Sequence, residues 1–161
     1  MRYHFSSFGD FKCAHCHVFV SSAHQLSGVH NRNHCPYCLW SCHLDLFAAG
    51  DRLSACKSEM KPIGLTMKMG RNKYRLESRG ELMLIHECVE CKSVSINRIA
   101  ADDDAETVIT VFQESLVIPT QIQTLSDRYR IVPLNATNMQ MVYEQLYGQN
   151  VEMSSIGRAL R

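Results

Sequence analysis

The chain has 161 residues, of which 45% are hydrophobic and 20% are charged, a composition typical of a globular protein rather than a disordered one. No run approaches the ~18 consecutive apolar residues that a transmembrane helix needs. The N-terminus also lacks the apolar core of a secretory signal peptide. We therefore expect a cytoplasmic protein that does not bind membranes.

The formal net charge is only +1, but the charges are segregated along the chain. Residues 52–79 contain eight basic and two acidic residues, whereas residues 81–127 contain nine acidic and two basic residues. The net charge gives no support to nonspecific nucleic-acid binding by the whole chain. A basic face formed by the middle segment alone stays compatible with this balance.

All eight cysteines lie in the first hundred residues, among a series of predicted strands. Alternating side chains and turn residues predict strands at residues 17–20, 62–69, 73–77, 81–87 and 92–100, with connections at 70–73 and 78–80. Residues 33–38 predict a tight turn in which Pro36 fixes one backbone angle. The sequence thus predicts a small antiparallel sheet with metal-binding turns at its ends.

The pattern becomes helical after about residue 104. Asp103, followed by Glu106, predicts a helix start of the capping-box type, and the helix is expected to end near Ser115. A strand is predicted at residues 129–132, and Asn135 is expected to cap a second helix over 136–147 that stops at Gly148. These elements predict the α+β class, with a zinc-binding domain at residues 1–104, a helical extension at 105–161 packing on it, and a loose tail from about 149.

Two cysteine pairs have the spacing of a four-cysteine zinc site. Cys13-x2-Cys16 and Cys35-x2-Cys38 are separated by eighteen residues. Two residues between cysteines allow one turn to direct both sulfurs at one ion, and two such turns complete a tetrahedron. Because a reducing cytoplasm disfavours disulfides, we interpret these four cysteines as the ligands of one zinc ion.

A third pair, Cys88-x2-Cys91, predicts a second zinc ion and needs two further ligands. The spacing leaves Cys42, His43, Cys56 and His86 as candidates. Among them Cys56 is the best third ligand, because it lies in a loop between predicted elements.

The motif Cys35-Pro36-Tyr37-Cys38 has a competing interpretation, since it is similar to the dithiol of glutaredoxins. That chemistry requires the pair at the N-terminus of a helix, which lowers the thiol pKa. Here a cysteine pair precedes the motif at zinc-ribbon distance, and no strand–helix–strand unit is predicted around it. A thiol redox protein is therefore a minor alternative.

The chain resembles the RNHCP domain family, whose name is spelled by Arg32-Asn33-His34-Cys35-Pro36. The resemblance covers roughly residues 8–104 and includes ordered landmarks: Phe11-x-Cys13-x2-Cys16, His43-x-Asp45, Gly50-Asp51-Arg52, Cys56, Met60-x-Pro62-Ile63, His86-x-Cys88-x2-Cys91 and Asn97-Arg98-Ile99-Ala100-x-Asp102-Asp103. It implies a bacterial, zinc-binding domain without an established activity. It also favours His43, Cys56, Cys88 and Cys91 as the second zinc site, with His86 as the substitute for His43.

Asn97, Arg98, Asp102 and Asp103 form a polar cluster beside the third cysteine pair. The cluster is either a binding patch for a phosphate or a partner, or a structural device. In the structural interpretation, Arg98 clamps onto Asp51 or Asp102, and Asp103 caps the following helix.

Two functions compete. The first is a zinc module that binds RNA or a ribonucleoprotein through a basic, partly aromatic hairpin formed by Arg71, Lys73, Tyr74, Arg75 and Arg79. The second is a protein-interaction scaffold that zinc only folds. An enzyme has little support, because four protein ligands at each zinc leave no position for substrate or water. We therefore predict no catalytic residues and no small-molecule substrate.

Overall fold

The computed structural model describes residues 9–69, 80–117 and 129–148. In chain order the elements are β1 (Phe11–Lys12), β2 (Phe19–Val20), α1 (His24–Ser27), β3 (Ser41–Cys42), β4 (Glu59–Lys68), β5 (Glu81–Cys88), β6 (Val94–Arg98), α2 (Ala105–Val117), a 3₁₀ helix (Ala136–Asn138) and α3 (Met139–Tyr147). The predicted α+β class is confirmed.

The strands form two antiparallel sheets. β1 and β2 pair with each other, and the larger sheet has the strand order β3–β4–β5–β6. The predicted strands at 62–69, 81–87 and 92–100 correspond to β4, β5 and β6. The predicted strand at 73–77 and most of the two connections beside it lie outside the described residues.

The longest pairing, between β4 and β5, contains one irregularity. Its register runs from Met60↔Cys88 to Lys68↔Glu81 and shifts between Pro62 and Gly64. Proline cannot donate a ladder hydrogen bond and is therefore accommodated at bulges and edges of sheets. The bulge allows the strand to pass Pro62 and continue as far as Lys68.

Helix α2 confirms the helix predicted in the second part of the chain, but its cap is a different residue. Asp104, and not Asp103, accepts a hydrogen bond from the N–H of Thr107 at 2.9 Å. Hydrogen bonds from the Thr107 hydroxyl and, second, from this N–H hold the pKa of Asp104 below its ordinary value. The prediction for Asp103 was wrong because its carboxylate is already engaged by Arg32 and His34.

The second predicted helix is confirmed, with a 3₁₀ first turn. The Asn135 side chain accepts from the N–H of Thr137, and Asn138 completes a capping box with it. The strand predicted at residues 129–132 is absent from the described structure, where the only pairing nearby is an isolated bridge between Thr66 and Pro133. A ladder cannot continue through Pro133 because its nitrogen has no hydrogen to donate.

One buried apolar cluster joins the sheet to both long helices: it contains Leu39, Leu65, Leu82, Leu84, Val108, Val111, Phe112, Leu134 and Val142. Leu39 comes directly after the second cysteine pair, so this core reaches one of the predicted metal ligands. A separate small cluster consists of Cys13, Val20 and Cys35. No helix among the described residues has the length and apolar character needed to cross a membrane.

Candidate metal centres

All three Cys-x2-Cys pairs form the same turn. In each pair the N–H of the first cysteine donates to the carbonyl five residues later, at 2.9 Å, and its own carbonyl accepts from the N–H four residues later. The residue after the second cysteine has a φ near 60° in every case: His17, Leu39 and Lys92. This turn places both sulfurs of a pair on one side of the backbone, as a shared metal ion requires.

The first cluster combines the turn between β1 and β2 with the turn that precedes β3. The sulfurs of Cys13 and Cys38 lie 3.6 Å apart, as do those of Cys16 and Cys35. Cys13 and Cys35 are buried, and Cys16 and Cys38 are partly exposed. Ligand atoms from all four residues lie within 4.8 Å of one another.

The second cluster is assembled by the larger sheet. It contains His43, directly after β3, Cys56, just before β4, and the turn of Cys88 and Cys91 that joins β5 to β6. The sulfurs of Cys56 and Cys88 are 3.6 Å apart, and Cys91 Sγ is 3.2 Å from His43 Nδ1. Because β4 pairs with β5 from Met60↔Cys88 onward, strand pairing itself brings Cys56 to Cys88.

These distances match tetrahedral zinc. Zn–S bonds of ~2.3 Å separate two sulfurs by roughly 3.8 Å, and an imidazole nitrogen lies about 3.6 Å from a sulfur on the same ion. The observed separations of 3.6 Å and 3.2 Å are close to these values. They exceed the ~2.05 Å of a disulfide bond, and none of the eight cysteines, all of which lie within the described residues, forms a disulfide. The two clusters are therefore placed to hold two metal ions, and the donor set fits zinc.

Local hydrogen bonds favour the thiolate of one cysteine at each cluster, while burial raises the pKa of Cys13 in the first cluster and of Cys88 in the second. A hydrogen bond from Cys38 lowers the pKa of the Cys35 thiol to about 5, while the same bond raises the pKa of Cys38. At the second cluster, Ser93 lowers the pKa of Cys91 to about 6. A thiolate at neutral pH is the form of cysteine that binds a metal, so each cluster attracts a cation.

The remaining candidate ligands are engaged elsewhere. His86 is completely buried, where desolvation lowers its pKa to about 3. Its Nε2 is 2.7 Å from the carbonyl of Leu39, and its Nδ1 is 2.9 Å from the Asn97 amide. The thiol of Cys42 lies 3.3 Å from the carbonyl of Lys57. Neither residue belongs to a cluster of ligand atoms in the described chain.

The helix that a glutaredoxin-like dithiol requires does not follow Cys35 and Cys38. The Cys35–Cys38 turn leads into strand β3, and not into a helix N-terminus that would stabilise a reactive thiolate. Each sulfur also lies 3.6 Å from a cysteine of the other pair. The arrangement is that of a metal site.

The acidic half of the predicted polar cluster is tied to two residues of the Arg32–Pro36 motif. Arg32, whose side chain is fully buried, contacts Asp102 at 2.7 Å and Asp103 at 3.2 Å. His34 Nε2 lies 2.8 Å from the second carboxylate oxygen of Asp103, which also accepts from the N–H of Ala100. These contacts fasten the segment after β6 to the second cysteine turn.

Arg98 does not form the predicted clamp. Its Nε lies 3.1 Å from a carboxylate oxygen of Glu81 on the neighbouring strand, and both side chains are largely exposed. Asp102 is paired with Arg32, and Asp51 accepts four backbone N–H groups of its own loop. Asn97, the fourth member, bonds to the ring of His86.

Three features of the site were not predicted from the sequence. Arg32 and His34 were not identified as the partners of Asp103, although both belong to the motif that carries the resemblance. The positive φ after each cysteine pair was not identified, since none of those positions is a glycine. The stacking of His15 on Trp40, with ring centroids 3.8 Å apart, was also missed.

The predicted nucleic-acid-binding residues Arg71, Lys73, Tyr74, Arg75 and Arg79 lie outside the described residues. The segment that contains them joins the end of β4 to the start of β5.

Comparison with known proteins supports the family assignment. The family model described as the RNHCP domain matches residues 8–109, which is most of the chain. No curated protein and no solved structure matches the chain. With the motif residues buried beside the first metal cluster and both ligand sets assembled, the chain belongs to the RNHCP domain family.

Proposed function

We propose that this protein is a zinc-folded, non-enzymatic module that binds RNA, alone or in a ribonucleoprotein. Zinc supplies structural cross-links between distant segments in place of a larger apolar interior. Each ligand set already provides four donors, which leaves no coordination position for a substrate or water. The proposed role is therefore binding and not catalysis.

The observation that carries the proposal is the positive charge at the end of β4. Lys68 is exposed and forms no ion pair among the described residues. From Lys68 to Arg79 the sequence contains five basic residues and one acidic residue, with Tyr74 among them. Phosphates are bound by lysine and arginine, and single-stranded bases stack on aromatic side chains. A basic segment of this kind on a rigid strand end suits RNA.

The test measures RNA affinity as a function of salt. Zinc-loaded protein is titrated against a labelled single-stranded RNA by fluorescence anisotropy at several salt concentrations. Lys73→Gln together with Arg75→Gln should weaken binding and reduce the salt slope by about 0.7 for each lost phosphate contact. The matched control, Lys12→Gln with Lys61→Gln, removes two exposed charges elsewhere and should leave the slope unchanged. Absence of salt-dependent binding by the unaltered protein would refute the proposal.

A second candidate, a protein-binding scaffold, is favoured by one exposed loop. The carboxylate of Asp51 accepts the N–H groups of Leu46, Phe47, Ala48 and Leu53 at 2.8–3.1 Å, and these bonds hold its pKa well below the usual range. The loop so fixed presents Phe47 with 84% of its surface exposed. A rigid, exposed aromatic side chain is typical of interface anchors. Association with a protein that survives nuclease treatment and is lost in Phe47→Ser would favour this role.

A further inference from the structure

A cavity of about 240 Å³ lies between the edge of the larger sheet and the segment that carries the family motif. Its lining includes Asn31 and Asn33 from that segment, Lys68 from β4, and Ile96, Asn97 and Arg98 from β6. The cavity is smaller than the ~300–1,000 Å³ typical of sites for drug-sized ligands. A single base or a comparably small planar group matches it better than a large metabolite.

Several polar groups of this cavity have no partner in the described part of the chain. The side-chain amides of Asn31 and Asn33 and the ammonium group of Lys68 make no hydrogen bond to any described residue. Polar groups within a cleft normally find a partner in the protein, in water or in a ligand. Asn33 belongs to the motif, yet its one hydrogen bond to a described side chain is made by its backbone carbonyl, which accepts from the hydroxyl of Ser41 at 2.8 Å. Its amide is therefore available to a ligand.

Asn97 is held in one orientation by a buried histidine. His86 Nε2 lies 2.7 Å from the carbonyl of Leu39, which can only accept, so Nε2 carries the hydrogen. Nδ1 then accepts from the Asn97 amide nitrogen at 2.9 Å. The amide oxygen of Asn97, a residue of the cavity lining, then bonds to no described residue. An acceptor oriented in this way, on a lining that also carries amide donors, is the combination that reads the edge of a nucleobase.

The cavity also offers an apolar surface and positive charge. Met83 and Ile96 contribute to its lining, and no carboxylate does among the described residues. Glu81 lies just outside, opposite Lys68 in the strand register and 3.1 Å from Arg98 Nε. Because the Glu81–Arg98 pair is largely exposed, it is weak, and the three side chains together carry a net charge of +1. The end of the cavity at Lys68 therefore favours an anion.

We propose that this cavity binds one nucleotide of an RNA chain, with the base edge at Asn33 and Asn97 and its phosphate at Lys68 and Arg98. The inference rests on the proposed RNA-binding function and specifies the site. It assigns two separable roles, since amides that read a base edge set sequence preference while a lysine on a phosphate sets affinity. Asn33 and Lys68 can therefore be tested independently.

The experiment compares single-residue variants of the zinc-loaded full chain on labelled A, C, G and U hexanucleotides by fluorescence anisotropy. Asn33→Ala should lower the affinity for the preferred base about tenfold and reduce the preference among the four RNAs. Lys68→Gln should weaken all four equally and reduce the salt slope by about 0.7. The controls are Gln25→Ala, an exposed amide elsewhere, and Lys61→Gln, an exposed lysine of the same strand.

A second measurement separates a base from a phosphate. In ¹⁵N NMR spectra, the side-chain amides of Asn33 and Asn97 should shift with the preferred nucleoside monophosphate and stay unchanged with inorganic phosphate. Equal responses to both ligands would overturn the base-binding assignment.

The outcomes also distinguish this inference from the proposed function. If the unaltered protein binds RNA but Asn33→Ala and Lys68→Gln behave like their controls, the cavity assignment is wrong and RNA binding stands. If the unaltered protein binds no RNA, the proposed function fails. Loss of a nuclease-resistant protein partner in these variants, without RNA binding, would assign the cavity to a protein ligand instead.

Discussion

His17, Leu39 and Lys92 occupy a backbone region that most side chains avoid. Each follows a cysteine pair and has a φ of 60–63°. A non-glycine residue pays roughly 1–2 kcal/mol for this conformation. The turn that imposes this conformation directs two sulfurs at one ion. Leu39 also belongs to the main apolar core, and the Lys92 ammonium group donates to the carbonyl of Val89 at 2.8 Å. His17 is exposed, and its side chain makes no hydrogen bond to a described residue, so His17 is the best position for measuring the backbone cost alone.

We expect His17→Gly to be neutral or stabilising and His17→Val to destabilise the protein by about 1 kcal/mol or more. A β-branched residue is the least tolerant of positive φ, because its side chain crowds its own backbone. Guanidinium unfolding of the zinc-loaded protein measures both effects. Val18→Gly is the control, since Val18 has no positive φ and should lose stability. If His17→Gly and Val18→Gly changed the free energy of unfolding equally, the explanation by positive φ at His17 would be wrong.

Of the two carboxylates in the polar cluster, Asp103 is expected to contribute more to stability than Asp102. Its side chain is fully buried, contacts the side chains of Arg32 and His34, and accepts a hydrogen bond from the N–H of Ala100. Asparagine has the same shape but would direct its NH₂ group at one of these donors. Breaking a buried charge pair by altering one partner costs about 3–5 kcal/mol.

Asp103→Asn should therefore lower the free energy of unfolding by roughly 3 kcal/mol or more. Asp102→Asn is the matched control: the Asp102 side chain is 34% exposed and, among the described residues, bonds only to Arg32, so its effect should be much smaller. Chemical denaturation at fixed zinc concentration measures the difference. If the two variants lost similar amounts of unfolding free energy, burial of Asp103 would not explain its contribution to stability.

Among the elements, the strands and helices were predictable where their side chains alternate or repeat with a clear period. β4, β5, α2 and α3 follow such patterns, and the spacing of the cysteine pairs predicted the first cluster. The cap of α2 was not predictable. The spacing from Asp103 to Glu106 favours Asp103, but its carboxylate is bound by Arg32, about seventy residues away in the sequence, and Asp104 caps the helix instead. The strand predicted at residues 129–132 was wrong, because a short β-prone segment does not reveal whether a partner strand is available to it.

The two metal clusters differ in exposure, and this predicts different lability. Cys56 and Cys91 of the second cluster are exposed, whereas no cysteine of the first is more than partly exposed. Access is a main determinant of how readily a thiolate reacts or exchanges its metal. The second cluster should therefore lose its ion first when a chelator is added.

Limited chelation followed by alkylation and mass spectrometry measures this order. After one equivalent of zinc has been removed, Cys56, Cys88 and Cys91 should be labelled, and Cys13, Cys16, Cys35 and Cys38 protected. The control is the fully loaded protein, in which only Cys42 is not assigned to a metal. Labelling of Cys13 and Cys16 first would contradict the predicted order.

At the scale of the whole molecule, metal sites and apolar core support each other. Leu39 packs with Val108, Phe112 and Val142, so the core includes residues on both sides of the domain boundary predicted near residue 104. The N–H of Asp104 donates to the carbonyl of Pro36 at 2.9 Å, which docks the start of α2 on the second cysteine turn. The boundary itself stays a prediction. The sequence could place the cysteine pairs because the spacing within each pair is local, whereas His43 and Cys56 were assigned to the second site through the family resemblance. It could not place contacts such as that of Arg32 with Asp103, which join segments about seventy residues apart.

The central claim is that two metal ions fold this chain. The most direct measurement is the zinc content of the purified protein, combined with X-ray absorption at the zinc edge and near-ultraviolet circular dichroism before and after chelation. The account predicts two zinc ions per chain, bound by seven sulfurs and one imidazole nitrogen in total, and loss of the near-ultraviolet signal once both are removed. A metal-free protein that keeps its tertiary signal would contradict it.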